Sequence, residues 1–243
     1  MKVKLTLSYD GTAYAGYQIQ PNGITIQQRL EEALFNLYKT EILTVASGRT
    51  DAGVHALGQV VSFVAPDTVP VEKIYLAINT FLPPDIRAVK SERVDDDFNA
   101  RYSAKKKTYE YTLYFGEVEN PILERFAVMI SSKVDLEKMK ECAKIFIGEH
   151  DFKCFCSSGS SVKTTVRKVY DIELNKSGEI LKISVTGNGF LYNMVRILIG
   201  TLVKVGEGDL EISSVEKMLQ SGDRNLGGKT FPAKGLTLKS VEY

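Results

Sequence analysis

Tryptophan is absent from this chain, and only two histidines and three cysteines stand among its 243 residues. An odd number of cysteines argues against a disulfide framework. Cys154 and Cys156, with His150 four residues before the first, suggest a metal corner. Cys-x-Cys lacks the usual two-residue ligand spacing, however, and no second Cys or His pair completes a four-ligand set, so no metal is expected. No apolar run approaches the roughly 20 residues that cross a bilayer. The chain enters the strand-like stretch Lys2 to Leu7 without a signal-type apolar segment, and we expect a cytoplasmic protein with no membrane partner. There is no Walker loop and no Gly-x-Gly-x-x-Gly after a strand, so no cofactor is expected either. An excess of either charge is also missing, since 31 Lys and Arg meet 30 Asp and Glu. A nucleic-acid binder of this composition must concentrate its basic residues locally.

The composition is ordinary for a folded protein, at 44% hydrophobic and 25% charged residues. The length suits one large domain or two small ones. Thr25 with Gln28 three residues later is a capping-box pattern, followed by an apolar stripe of Ile26, Leu30, Ala33, Leu34 and Leu37. Pro70 precedes a second helix with Val71, Ile74, Ala77, Ile78 and Phe81 on one face, and Pro83-Pro84 stops it. Ile86 to Val89 and Lys107 to Phe115 read as strands, and Asp135 caps a helix carrying Leu136, Met139, Ala143 and Phe146. Two strands, Val166 to Leu174 and Ile180 to Val185, flank a turn at residues 175–178. The Ser/Gly-rich stretch from Ser157 to Thr165 reads as a mobile surface loop. An apolar helix from about Phe190 to Val205, a short helix near Ser213 to Leu219 and a glycine-rich tail complete the chain.

Both halves thus read as strand, helix, strand, strand, helix. That order suits an α+β fold of two ferredoxin-like or RNA-recognition-like halves, residues 1–100 and 101–243, divided near the polar segment Asp95 to Arg101.

The stretch Gly48-Arg49-Thr50-Asp51-Ala52-Gly53-Val54-His55 separates two strand-like runs, Ile42 to Ala46 and Leu57 to Val64. Asp and Gly dominate ordinary turns, so the aspartate alone decides nothing. Arg196 lies in a helix apolar nearly all round, and such a helix is buried. A guanidinium there calls for an anionic partner, unless it pairs with some structural carboxylate or its head reaches the surface. Tyr109 shares a strand face with Tyr111, Leu113 and Phe115, as a core aromatic would. Lys105, Lys106 and Lys107 just after Arg101, and Lys163, Arg167 and Lys168, are candidate basic patches or simply solvated loops.

The octapeptide around Asp51 resembles a motif of the TruA family of tRNA pseudouridine synthases. Further matching stretches are Tyr9 to Thr12 with Gly16-Tyr17-Gln18, Phe98 to Ala104, Tyr109-Glu110-Tyr111, Gly148 to Phe152, Asn188 to Arg196, and Pro232 to Leu236. They run in family order over nearly the whole chain. The position of Tyr17 is commonly Trp in that family. The resemblance implies two sheets that join into one around a central cleft, and a homodimer that binds the tRNA anticodon stem-loop and isomerises uridines at positions 38 to 40. It implies Asp51 as nucleophile, attacking C1′ or C6, and Arg196 as the arginine that pairs with it. Tyr109 matches the tyrosine that stacks on the target uracil, and Arg49 the residue that enters the RNA stem and holds the nucleotide out. Two other readings compete. A non-catalytic RNA-binding α+β module would carry a Lys/Arg-Gly-Phe aromatic signature, and a nucleosidase would place a second carboxylate across the bond; neither feature is found near Asp51.

Overall fold

The computed structural model describes residues 1–159 and 162–243. Its elements in chain order begin with β1 (Lys2–Tyr9), α1 (Ile26–Tyr38), β2 (Val45–Ala46), β3 (His55–Val64), a 3-10 turn running into α2 (Ile74–Ile78), and β4 (Ile86–Arg93). There follow β5 (Lys106–Phe115), β6 (Val128–Ile130), α3 (Leu136–Ile145), β7 (Gly148–Asp151), β8 (Val166–Ser177), β9 (Ile180–Gly187), α4 (Met194–Gly206), α5 (Ile212–Ser221) and β10 (Leu236–Glu242). They form two compact units, Met1–Lys105 with Thr237–Tyr243, and Lys106–Leu236. The division falls after the polar segment Asp95 to Arg101. The last strand returns to the first unit because Thr237 and Leu238 pair in parallel with His55 and Ala56 of β3. Among the described residues no helix is long and apolar enough to cross a membrane.

In the first unit, β1 lies antiparallel between β3 and β4, with Leu5 opposite Val61 on one side and Ser91 on the other. Val3, Leu5, Leu7 and Tyr9 are all buried on one face, the alternation of a half-buried strand. The Thr25 hydroxyl caps α1 by accepting from Gln28 N, and Ile26, Leu30, Ala33 and Leu34 form its buried stripe. Two expectations fail here for local reasons. The strand before the Asp51 loop shrinks to Val45–Ala46, because Thr44 gives its N–H and hydroxyl to Glu31 Oε1 at 2.8 and 2.9 Å instead of to a ladder. The second helix ends at Ile78, where the Asn79 amide bonds the backbone N–H and C=O of Ala88, each at 2.8 Å, and Phe81 is left 45% exposed.

In the second unit, β9 lies antiparallel between β5 and β8, β7 extends the sheet beyond β8, and β6 pairs in parallel with β5. Tyr109, Tyr111 and Leu113 of β5 and Leu181, Ile183 and Val185 of β9 are buried. Helix α3 is capped by Asp135, which accepts from Glu137 N and Lys138 N, and it packs on α4. Helix α4 starts at Met194 rather than Phe190, because Asn193 is held in the left-handed region at φ 61°. The expected loop from Ser157 to Thr165 includes residues 160 and 161, which lie outside the described residues; Lys163 within it is exposed.

The glycine-rich tail is packed rather than loose. Gly228 N donates to Thr201 Oγ1 at 3.0 Å, and that hydroxyl donates to Ile197 O at 2.9 Å. A Cβ at Gly200 would collide with the Lys229 carbonyl and come within 3.0 Å of the Phe231 ring. Gly200→Ala should therefore destabilise the protein by about 1–3 kcal/mol and lower its thermal midpoint by several degrees. Gly189→Ala, whose nearest neighbour would be 4.0 Å away, should change it little. Equal midpoints for the two variants in a thermal melt would contradict this packing.

Candidate active site

The loop between β2 and β3 is braced from three directions. Val54 N donates to Asp51 O at 3.1 Å, and Gly53 supplies φ 77°, which closes a tight turn headed by Asp51. Tyr17 N donates to Thr50 O at 3.0 Å. The Thr50 hydroxyl shares a 2.8 Å bond with the Tyr9 hydroxyl, and Gln59 donates to Gly48 O at 2.9 Å while accepting from Ser47 at 2.7 Å. Burial pushes the Tyr9 phenol up to about 12, so it acts as a neutral hydrogen-bonding group at ordinary pH. Thr50 and Gln59 are buried, and Asp51 between its braced neighbours is half-buried. Tyr17 is buried to 2% exposure; its hydroxyl lies beside Thr44 without a well-formed hydrogen bond.

His55 closes the loop and is a residue to which the sequence alone gave no role. It is 3% exposed, and its Nδ1 accepts from Gly11 N at 3.0 Å while standing 3.2 Å from Asp10 Oδ1. Asp10 is itself tied down, accepting from Thr12 N at 3.0 Å and from the Thr12 hydroxyl at 2.6 Å. A neutral imidazole serves Gly11, and a protonated one would serve Asp10. The sequence signal was present, since His55 is one of only two histidines and sits at the end of the loop motif.

In the second unit, Tyr109 is buried on β5 and meets Phe190 edge to face, with ring centroids 5.3 Å apart. Arg196 is half-buried on α4. Its Nε donates to Phe231 O and its Nη1 to Asn193 Oδ1, both at 2.6 Å, and Phe231 N returns a bond to Arg196 O at 3.2 Å. Asn193 in turn donates to the Ser157 hydroxyl at 2.9 Å. These contacts fix the plane of the guanidinium. Sequence reasoning quoted Asn193 only as part of the stretch Asn188 to Arg196 and missed the Phe231 carbonyl, because a carbonyl leaves no signature in a side-chain pattern.

Of the basic residues, Arg49, Arg101 and Lys105 belong to the first unit and are exposed, with Arg101 lying 5.7 Å from the Tyr102 ring centroid. Lys106, Lys107, Lys163, Arg167 and Lys168 belong to the second. Arg167 is turned back on its own strand, donating to Thr164 O at 2.9 Å and Val166 O at 2.6 Å. Lys106 and Lys168 converge on Tyr170. Cys154 is buried, its thiol pushed up to about 11 by burial, and the His150 Nε2 lies 3.1 Å from Ile147 O. Among the described residues no group of three His, Cys, Asp or Glu could hold a metal ion.

A family model described as tRNA pseudouridine synthase matches residues 6–103 and 142–243, more than half of the chain. The chain belongs to the tRNA pseudouridine synthase family. Those spans include Asp51 and Arg196, and Tyr109 falls between them. Full-length relatives bridge the gap. The chain is 44% identical over 245 residues to a tRNA pseudouridine synthase A of Bacillus licheniformis, covering 100% of this chain and 99% of that one. It is 45% identical over 242 residues to a tRNA pseudouridine synthase A 2 of Clostridium perfringens, with 99% of each covered. To the tRNA pseudouridine synthase A of Bacillus subtilis it is 42% identical over 245 residues, with 100% and 99% covered. The family is one of isomerases.

The bracing has a measurable cost of removal. His55→Ala leaves the Gly11 N–H without its acceptor in a buried setting, which should destabilise the protein by about 1–3 kcal/mol. Denaturant unfolding monitored by circular dichroism checks this. A midpoint equal to that of the parent chain would show that the Gly11 bond does not hold the loop.

Proposed function

We propose that this chain isomerises uridine to pseudouridine in the anticodon stem-loop of tRNA, at positions 38 to 40, with Asp51 as the nucleophile. The observation that carries the reading is the bracing of Thr50 by Tyr17 and Tyr9, which fixes the backbone that presents Asp51. Family membership supports the reaction class. Asp51 attacks the flipped-out nucleotide at C1′ or C6, the N1–C1′ bond breaks, and the uracil turns. C5 then bonds to C1′, the bond to Asp51 breaks and returns the carboxylate, C5 loses its proton, and N1 gains one. The exchange is redox-neutral, so one carboxylate and a proton acceptor suffice.

In the same proposal, Arg196 pairs with the Asp51 carboxylate and keeps it ionised. Its fixed guanidinium plane supports that role, because a two-point grip needs a preset orientation. Tyr109 stacks on the uracil, and its edge-to-face contact with Phe190 supports a held ring. Arg49 enters the stem, and Arg101, Lys105, Lys106, Lys107, Lys163, Arg167 and Lys168 contact phosphates. The protein acts in the cytoplasm as a homodimer whose two subunits both meet the RNA.

Tritium release from tRNA carrying 5-tritiated uridine tests the chemistry. Asp51→Asn keeps the shape, removes the anion and should abolish release while leaving tRNA affinity within a few-fold. Arg196→Lys keeps the charge and loses the planar grip, so turnover should fall at least tenfold, roughly 1.4 kcal/mol of transition-state stabilisation. Substantial release by Asp51→Asn in a preparation free of host enzyme would refute the assignment.

A further inference from the structure

Strand β8 interrupts the two-residue alternation of a regular strand. Val169 pairs with Gly187 of β9 and Asp171 pairs with Thr186, so Tyr170 is an extra residue between consecutive rungs. Burial follows the irregularity. Val169 and Ile172, three residues apart, are both buried, and Tyr170 stands 38% exposed. Such bulges re-aim a side chain and are enriched beside functional sites.

Two lysines from different strands converge on the ring thus presented. Lys106 of β5 places its Nζ 5.6 Å from the ring centroid, and Lys168 of β8 places its Nζ 5.8 Å away. Both side chains are exposed. The backbone of Lys168 is anchored at this level, with Lys168 N donating to Asn188 Oδ1 and Asn188 N donating to Lys168 O, both at 3.0 Å. Of the carboxylates near this sheet end, Glu110 is paired with Lys182 at 2.9 Å, and Asp171 directly follows the ring in sequence.

An aromatic face with two cations above it matches the two parts of a nucleotide. A base stacks on the π-face whatever its identity, and phosphates draw ammonium groups off the ring. We propose that Tyr170, Lys106 and Lys168 form a stacking platform for one unpaired base of the substrate RNA, with the two lysines on its flanking phosphates. A base inside a duplex has both faces covered by its neighbours, so the platform takes a looped-out or single-stranded nucleotide. The inference rests on tRNA being the substrate.

Fluorescence anisotropy with an unmodified tRNA transcript tests it, with the parent chain assayed in parallel for binding and pseudouridine formation. Tyr170→Ala should bind roughly 5- to 150-fold more weakly, the range expected for one lost stacked base. It should keep the parent's thermal midpoint and the parent's slope of log K against log salt. Tyr170→Phe should bind within twofold of the parent, and Lys168→Ala should flatten the salt slope by roughly 0.7 to 0.9. A fully paired RNA hairpin stem should not distinguish Tyr170→Ala from the parent. Parent-like tRNA affinity for Tyr170→Ala, or an equal loss on the paired stem, would overturn the platform while leaving the tRNA assignment intact. A parent chain that bound no tRNA would overturn the assignment, and the platform with it.

Discussion

Thr50 is the residue on which the shape of the loop between β2 and β3 depends, because its backbone and its side chain are both held from outside the loop. Its carbonyl accepts from Tyr17 N and its hydroxyl bonds Tyr9, whose own phenol is buried and stays neutral. The backbone that carries Asp51, one residue further on, inherits that rigidity. Positioning of this kind removes the ordering entropy that a reacting group would otherwise lose at the moment of reaction. The bracing partners come from β1, from the segment before α1 and from β3. The antiparallel pairing of β1 with β3 therefore does two things at once. It closes the hydrophobic face of Leu5, Leu7 and Val61, and it brings Tyr9 and Gln59 beneath the loop.

The second unit applies the same logic to an arginine. A helix as apolar as α4 must be buried, and a guanidinium on it must be satisfied by hydrogen bonds. Part of that demand is met by the Phe231 carbonyl and by Asn193. The close approach of Gly200 and Gly228 is what lets the 227–231 segment lie against α4. A glycine of the tail and a glycine of the helix thus act together to seat the segment whose Phe231 carbonyl holds the Arg196 side chain.

Much of this was legible in the sequence where the information is local. The Thr25 and Asp135 caps, the alternation of β1 and the apolar character of α4 are each encoded within a few consecutive residues, and the structure has them all. What escaped depends on distant partners. The strand β10 is visible only through its parallel pairing with β3, some 180 residues earlier in the chain order of His55 and Thr237. The shortening of β2 depends on Glu31, and the start of α4 on the left-handed Asn193, neither of which a periodicity count registers. Leu57, the first residue of the strand-like run expected over Leu57 to Val64, is 59% exposed. Of the candidate residues, Asp51 and Arg196 stood out from the sequence, whereas the contacts of His55, Asn193 and the Phe231 carbonyl emerged only from their hydrogen bonds.

The central claim is that the carboxylate carried by the braced loop forms the bond to the substrate. A tRNA containing 5-fluorouridine has no C5 proton to lose, so the final step is blocked and a covalent adduct can accumulate. Mass spectrometric mapping of that adduct after protease digestion tests the claim most directly. The account predicts that the RNA-derived mass, where an adduct forms, lies on the peptide that contains Asp51, and that none forms on the Asp51→Asn protein. A labelled peptide that lacks residue 51 would contradict it.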